Sequence, residues 1–336
     1  MSPSLEFCSS LAPVITRYLD LKSALGRRFS GERATLRSLD RSLVSEGAED
    51  LTVDSFLRWT RSLEHLKSGV RRSRMRIVRN LCVFRRRTEP ACFVPDQTLF
   101  PPRHQYVQPY IFSEKEIALL IDTTRSLLTT RAYPLRSPVF RLGIGLLYTT
   151  GLRRGELLRI RAGDYDPDAQ SLLVRPSKFH KSRLLPLSLD TAQEIERYLA
   201  TRRAHRPETV TPEAPLLWNG SSVLRSYTGT GWCRVFHALL QHAGIRKPDG
   251  QLPRVHDVRH SFAMNVLLRW YRAGIDVQVK LPLLATYMGH VSIASTQYYL
   301  RFIEPLASAA SERFGACCGG LVTPPPKDVC DGRSTT

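Results

Sequence analysis

Four short segments in the second half of the chain carry side chains of the kinds that bind and attack phosphates. The first reads TTGLRRGELLRI, and its Gly151 permits a tight turn into a helix that would aim Arg153 outward. The third reads HDVRHSFA, where a helix would place His256 and Arg259 on one face because they are three residues apart. That pair could converge on one ligand, whereas a metal site would need further ligands at suitable spacing. Taken singly, each segment is also typical of an ordinary helix with a polar edge.

The other two segments supply a lysine and a tyrosine. Residues 177–187 (SKFHKSRLLPL) predict a β-turn with basic residues at its tip, among them Lys178. In the fourth segment, Gly289 is expected to end a helix and His290 to open the next turn, with Tyr299 nine residues further on. Many hairpin tips are lysine-rich only because they are solvated, and many tyrosines are packed in a core. Neither segment alone therefore indicates catalysis.

In this order and at these separations, the four segments resemble the tyrosine recombinase (phage integrase) family over about residues 110–312. The resemblance implies six catalytic residues, which in chain order are Arg153, Lys178, His256, Arg259, His290 and Tyr299. The spacing from His290 matches the family at Tyr299 and not at the adjacent Tyr298. The resemblance therefore assigns the nucleophile to Tyr299.

The sequence departs from the family pattern in two places. The stretch between Arg259 and His290 is longer than in compact members, with residues 270–282 as the predicted insertion. In this respect it resembles recombinases carried by transposons. The hairpin also has Phe179 and His180 where the family commonly has a Gly and a small polar residue.

The resemblance implies an enzyme that cuts and rejoins double-stranded DNA through a covalent tyrosine–phosphate bond, with no metal, nucleotide or other cofactor. Arg153 and Arg259 would grip the scissile phosphate in forked geometry, and His290 would donate a further hydrogen bond. A phenol is a poor nucleophile because its pKa is near ~10, so a base such as His256 would take its proton. Lys178 would protonate the departing 5′ oxygen. The family also implies a homo-oligomer that works as a tetramer on two duplexes.

Composition independently points to a polyanionic partner. The 336 residues carry a formal net charge of +19, and residues 1–110 alone hold 19 Lys and Arg against 11 Asp and Glu. Two basic halves suit a clamp around a duplex better than one basic tail does. The seven cysteines show no paired metal-ligand spacing and indicate reduced thiols. With no signal-peptide pattern and no apolar run of membrane-span length, we expect a soluble, cytoplasmic protein without a membrane partner.

The elements that must position these residues form a mainly α fold with a small antiparallel β-sheet. We predict a helical core-binding domain over 1–89, a proline-rich linker over 90–110, an α+β catalytic domain over 111–315 and a disordered tail over 316–336. Helical spacing joins Val14, Tyr18, Leu21 and Leu25, and again Leu36, Leu39 and Leu43. Short strands are predicted at 171–175 and 183–187, after a turn-rich stretch. Helix starts are predicted at Thr52 and at Ser113, where Ser113 and Glu116 form a capping-box pattern.

One helix of the first domain is a candidate DNA-binding element. Residues 67–87 hold nine basic residues and no acidic one. On a helix Arg72, Arg76 and Arg79 share one face, opposite an apolar face. Although a charge run is usually a solvated face, the absence of interleaved acids favours phosphate contact. The predicted DNA-binding residues are Arg71, Arg72, Arg74, Arg76 and Arg79.

Two other classes of protein share parts of this pattern. A type IB topoisomerase would use the same tyrosine chemistry without exchanging partners, but His256 of the H-x-x-R box favours a recombinase, since the topoisomerases resemble K-x-x-R there. A non-catalytic DNA-binding regulator would need none of the six catalytic positions. That all six are filled argues against it.

Overall fold

A computed structural model describes residues 7–25, 30–102, 108–130, 133–175, 182–220 and 224–290 of the chain. The chain divides into two compact units, Met1–Val107 and Gln108–Thr336. Each unit has its own buried apolar cluster, as expected for a chain of this length.

The described part of the first unit contains four α-helices. In chain order they are α1 (Ala12–Ala24), α2 (Ser30–Ser45), α3 (Val53–Arg61) and α4 (Ser68–Arg85). The predicted start of α3 is confirmed, because Thr52 is its N-cap and accepts a hydrogen bond from the backbone N–H of Ser55. The aromatic rings of Phe56 and Trp59 on α3 pack in the centre of the core.

The apolar spacing predicted for α2 is confirmed, but that for α1 is partly wrong. Leu36, Leu39 and Leu43 on α2 are all buried. On α1 the buried side chains are Val14, Ile15, Tyr18 and Leu19, while Leu21 and Leu25 are exposed. The buried stripe of α1 therefore follows i, i+1, i+4 and i+5 and leaves the C-terminal leucines in solvent.

The proline-rich stretch after α4 belongs in part to the first unit. Phe93, Val94 and Phe100 pack against its core, and Arg72 of α4 donates a hydrogen bond to the carbonyl of Pro101. The first unit therefore extends beyond residue 89, where composition alone placed its end. Three apolar side chains in an otherwise aperiodic segment are enough to hold it on the core.

The second unit contains seven α-helices and one sheet among its described residues. The helices are α5 (Glu114–Thr123), α6 (Arg136–Thr150), α7 (Arg154–Leu157), α8 (Leu189–His205), α9 (Gly229–His242), α10 (Val255–Arg272) and α11 (Val277–Met288). The capping box predicted at the start of α5 is confirmed: Ser113 and Glu116 satisfy each other's backbone N–H groups.

The sheet has three antiparallel strands in the order β1 (Tyr165–Asp166), β2 (Ser171–Val174) and β3 (Arg183–Pro186). β2 and β3 confirm the two predicted strands and pair from Ser171 opposite Pro186 to Val174 opposite Arg183. β1 lies in the stretch that was predicted to be turn-rich, and it is two residues long.

Helices α6 and α10 pack against each other in the second unit. Gly151 follows α6 in the left-handed conformation, with φ 62°, and a Cβ there would lie 2.4 Å from the ring of Phe262 on α10. The Asn265 side chain of α10 donates a hydrogen bond to the hydroxyl of Tyr148 on α6. These contacts fix the C-terminal end of α6 against the middle of α10. In the part of the chain that the structure describes, no helix combines the length and apolarity needed to cross a membrane.

Candidate active site

The C-terminal end of α11 gathers three arginines from three other elements. Three consecutive carbonyls there each accept a hydrogen bond from a different guanidinium. The pairs are Tyr287 O with Arg183 Nε at 2.9 Å, Met288 O with Arg259 Nη2 at 2.8 Å, and Gly289 O with Arg153 Nη2 at 2.7 Å. A helix leaves its last carbonyls without helical partners and carries partial negative charge at this end, so cations are stabilised there.

Arg259 lies on α10 and is almost fully buried, with 1% of its surface exposed. Besides the Met288 carbonyl, it binds the carbonyl of Gly151 through Nη1. Its guanidinium therefore connects the C-terminal ends of α6 and α11. The predicted helical placement of Arg259 and His256 is confirmed, since both lie in the first turns of α10.

Arg153 precedes α7 and is half-buried. The prediction that a helix would aim it outward is wrong in detail, because its guanidinium turns towards α11 and donates to Gly289 O and to Glu156. The backbone N–H of Arg153 also donates to Glu156, at 3.0 Å. Gly151 ends α6 instead of opening a helix, and the two residues that follow carry the chain into α7.

Glu156 is a buried acid between two of the arginines. Its carboxylate accepts hydrogen bonds from Arg153 Nη1 at 2.8 Å and from Arg183 Nη2 at 2.8 Å. Burial alone would raise the pKa of Glu156, but the hydrogen bonds and charges of Arg183 and Arg153 outweigh it and hold that pKa at about 2. The carboxylate is therefore ionised at any working pH and acts as a fixed counter-ion.

Two histidines of α10 lie side by side at the site. The rings of His256 and His260 meet edge to face, with their centroids 4.7 Å apart. His260 is buried, and desolvation together with the nearby His256 lowers its pKa to about 4. Partial enclosure and the charge of Arg259 lower the pKa of His256 to about 4 as well, although one side of the residue is open to solvent. Both rings are therefore neutral at pH 7, and an exposed neutral imidazole can accept a proton.

His290 follows Gly289 directly after α11. Gly289 has the left-handed conformation, φ 68°, so the prediction that it ends a helix is confirmed. The backbone N–H of His290 donates to the carbonyl of Ala285 at 2.8 Å, which fixes the residue at the helix end. Burial and the charges of Arg259 and Arg153 lower the pKa of His290 to about 3.

Four of the six predicted catalytic residues thus lie in the described part of the second unit, and all four lie around the end of α11: Arg153, His256, Arg259 and His290. Lys178 and Tyr299 lie outside the described residues. Within those residues no group of three or more His, Cys, Asp or Glu side chains is placed to hold a metal ion.

The predicted DNA-binding arginines lie on α4 of the first unit. Arg76 is exposed, whereas Arg71, Arg72, Arg74 and Arg79 are half-buried. Arg72 is engaged within its own unit, since its guanidinium also lies over the ring of Phe100, 5.8 Å from the centroid. The structure therefore singles out Arg76 as the most solvent-accessible cation of the set.

Sequence reasoning gave no role to Arg183 or Glu156, although both lie in the quoted segments. A single acid in the strongly basic stretch from Arg153 to Arg161 was a signal for a buried counter-ion. Arg183 offered no comparable signal, because its partners are 27 and about 100 residues away.

Known proteins share the sequence pattern and the fold of this chain. Residues 111–303 match the profile of the Phage integrase family. The chain is 31% identical to a Sinorhizobium fredii protein named integrase/recombinase y4rB, over 91% of this chain and 97% of that one. The Tn1549 transposon integrase in complex with transposon right end DNA has a TM-score of 0.60 and 15% identity, over 91% of this chain and 99% of that one. A lambda integrase tetramer bound to a Holliday junction has a TM-score of 0.56 and 16% identity, over 86% of this chain and 76% of that one. At these identities the structural likeness shows a shared fold, and the predicted fold class is confirmed.

Proposed function

This chain belongs to the phage integrase family, and from that premise we propose that it is a site-specific DNA recombinase that works through a 3′-phosphotyrosine at Tyr299. The observation that carries the proposal is the meeting of Arg153, Arg259 and His290 at one helix end, with His256 beside them. Two guanidiniums beside neutral histidines can stabilise the negative charge that develops on a phosphodiester during nucleophilic attack.

In the proposed cleavage step, the phenol oxygen of Tyr299 attacks the scissile phosphorus and the bond from phosphorus to the 5′ oxygen breaks. His256 takes the phenol proton, which its low pKa permits because the ring is neutral before DNA binds. Lys178 gives a proton to the 5′ oxygen. Rejoining is the reverse, with a 5′-hydroxyl of another strand as the attacking group.

The arginines supply the electrostatic part of the step. Arg153 and Arg259 stay charged at any working pH and can hold the non-bridging oxygens in forked geometry. Their anchoring to the carbonyls of Gly289 and Met288 orients them before the substrate arrives, which lowers the reorganisation needed in the transition state. A neutral His290 can donate one further hydrogen bond.

The partner in this proposal is double-stranded DNA, bound by both units. The basic face of α4 would contact phosphates from the first unit. The likeness to a lambda integrase tetramer on a Holliday junction supports a tetramer on two duplexes. The likeness to the Tn1549 transposon integrase supports a role in mobilising a transposon or another integrative element.

Covalent trapping tests the proposal. The target site would first be identified by sequencing the DNA bound in cells and then prepared as a nicked duplex whose short strand is lost after cleavage. We expect the full chain to accumulate a covalent adduct with this DNA. A chain that binds the site tightly and never forms the adduct would instead fit the non-catalytic regulator.

A further inference from the structure

Arg183 lies at a junction between the sheet and the candidate site. It is the first residue of β3, the strand that leaves the hairpin, and its side chain is 13% exposed. From there the guanidinium spans to two other elements: it binds Glu156 of α7 and the carbonyl of Tyr287 on α11. We infer that Arg183 is a positioning residue, which orients the guanidinium of Arg153 by holding Glu156 at the end of α11. This inference rests on the proposed function of the site.

The hydrogen bonds form a chain from β3 to Arg153. Arg183 donates Nη1 and Nη2 to the two carboxylate oxygens of Glu156, at 3.2 and 2.8 Å. The carboxylate in turn accepts from the side chain and the backbone of Arg153. Because a fork on two oxygens fixes the plane of a carboxylate, Arg183 determines the direction in which Glu156 presents its oxygens to Arg153.

A second contact ties the same strand to the same helix end. The hydroxyl of Tyr287 donates to the carbonyl of Pro186, at the far end of β3. Arg183 and Tyr287 therefore join β3 and α11 at two points. The segment that carries Gly289 and His290 is held in place by the strand that leaves the hairpin.

The guanidinium of Arg183 lies very close to the backbone of Gly289. A Cβ on Gly289 would lie 2.7 Å from Arg183 Nη1 and 3.0 Å from its Cζ. The guanidinium thus occupies the space that any other residue type would need for its side chain. A lysine at position 183 could not replace it, because one ammonium cannot reach both carboxylate oxygens and the carbonyl in fixed geometry.

A mutant cycle with Arg153 tests the inference. Arg183→Ala should slow single-turnover adduct formation on the nicked site by about 10- to 100-fold, since a misplaced catalytic group costs rate in this range. DNA affinity should be nearly unchanged. The Arg153→Lys variant no longer has the guanidinium that Arg183 is inferred to orient. In that background, Arg183→Ala should slow adduct formation by less than about 3-fold.

The matched control is Arg175→Ala. Arg175 follows β2 on the same sheet and pairs with Asp164, a buried acid that belongs to neither α7 nor α11. It should leave the rate of adduct formation unchanged. If Arg183→Ala does not fold, Arg183→Lys takes its place in the cycle, with the same non-additivity expected.

Two results would overturn the inference: an equal loss from Arg183→Ala in both backgrounds, or a loss no larger than that of Arg175→Ala. Either would reduce Arg183 to a residue that stabilises the fold. Failure of the proposed function would look different, because the unmodified chain itself would then form no adduct.

Discussion

Glu156 is a buried acid that pairs with two arginines of the candidate site, Arg153 and Arg183, and its burial strengthens both interactions. The carboxylate remains ionised because Arg183 and Arg153 hold its pKa at about 2. Coulomb interactions are stronger where water is excluded, so this counter-ion keeps Arg153 in place before DNA binds. It also explains why Arg153 turns towards α11 and not into solvent.

Gly289 is the residue at which the packing of the site can be tested most simply. Gly289→Ala should cost about 1–2 kcal/mol of unfolding free energy, because an L-residue is strained in the left-handed region. It should also displace the guanidinium of Arg183, which a Cβ would approach to 2.7 Å. We therefore expect a loss of adduct formation well beyond the loss of stability, measured by single-turnover cleavage and urea unfolding.

Gly250→Ala is the control for this prediction. Gly250 also has a positive φ, 78°, but a Cβ there would meet no atom within 4 Å. Both variants should lose the stability that a strained φ costs, while only Gly250→Ala keeps its cleavage rate. Equal cleavage rates for both variants would show that the approach to Arg183 has no catalytic consequence.

At this scale the sequence predicts residue types better than residue partners. The order and spacing of Arg153, His256, Arg259 and His290 carry the family resemblance that implied one site, and the structure brings those four together. The links through Glu156 and Arg183 could not be predicted, because they depend on how β3 and α11 meet in three dimensions. Residue spacing along the chain carries no signal for such contacts.

Helix α4 divides its faces between the core of the first unit and solvent. Met75, Val78 and Leu81 are buried, and the basic residues occupy the remaining surface. Arg72 turns back to Phe100 and Pro101, so part of the positive charge stabilises the first unit itself. Arg76, being exposed, is the better candidate for a phosphate contact.

This division predicts different effects for two arginines on the same face. Arg76→Ala should weaken DNA binding and lower the slope of log affinity against log salt by about one unit, with stability unchanged. Arg72→Ala should in addition lower the unfolding free energy, because a hydrogen bond and a ring contact are lost. Titrations at several salt concentrations, paired with urea unfolding, measure both. An unchanged salt slope for Arg76→Ala would mean that the face is merely solvated.

Elements were predictable where local chemistry decides them. The caps at Thr52 and Ser113 and the strands β2 and β3 follow from residue patterns and are confirmed. The exposure of Leu21 and Leu25 was not predictable, because whether a leucine is covered depends on what packs on its helix. The two-residue strand β1 exists through pairing with β2 and has no pattern of its own.

For the chain as a whole, the histidines make stability depend on pH. His256, His260 and His290 have pKa values of about 4, 4 and 3, below the ordinary value of about 6.5. At pH values between the lowered pKa of the folded state and the ordinary pKa of the unfolded state, the unfolded chain binds more protons than the folded one. The unfolding free energy should therefore fall as the pH drops from about 7 towards 4. For buried His260 the slope can reach about 1.4 kcal/mol per pH unit.

Urea unfolding of the full chain between pH 7 and pH 5 measures this effect. The range isolates the histidines, because the low pKa of Glu156 makes its carboxylate lose stabilising charge only at more acidic pH. A His260→Gln variant should show a shallower dependence on pH than the unmodified chain. A flat profile in the unmodified chain would contradict the proposed neutral state of the three rings.

The central claim is that Tyr299 forms a covalent bond with DNA, and mapping the trapped residue tests it most directly. Tyr298 and Tyr299 are adjacent in the sequence, and consecutive side chains of a helix or a strand point in different directions, so the two tyrosines must be distinguished directly. The adduct of the full chain with the nicked site would be digested, and the peptide that carries the nucleotide sequenced by mass spectrometry. We predict phosphotyrosine at Tyr299, no adduct from Tyr299→Phe despite normal DNA binding, and a normal adduct from Tyr298→Phe. DNA attached to Tyr298, or an adduct formed by Tyr299→Phe, would contradict the claim.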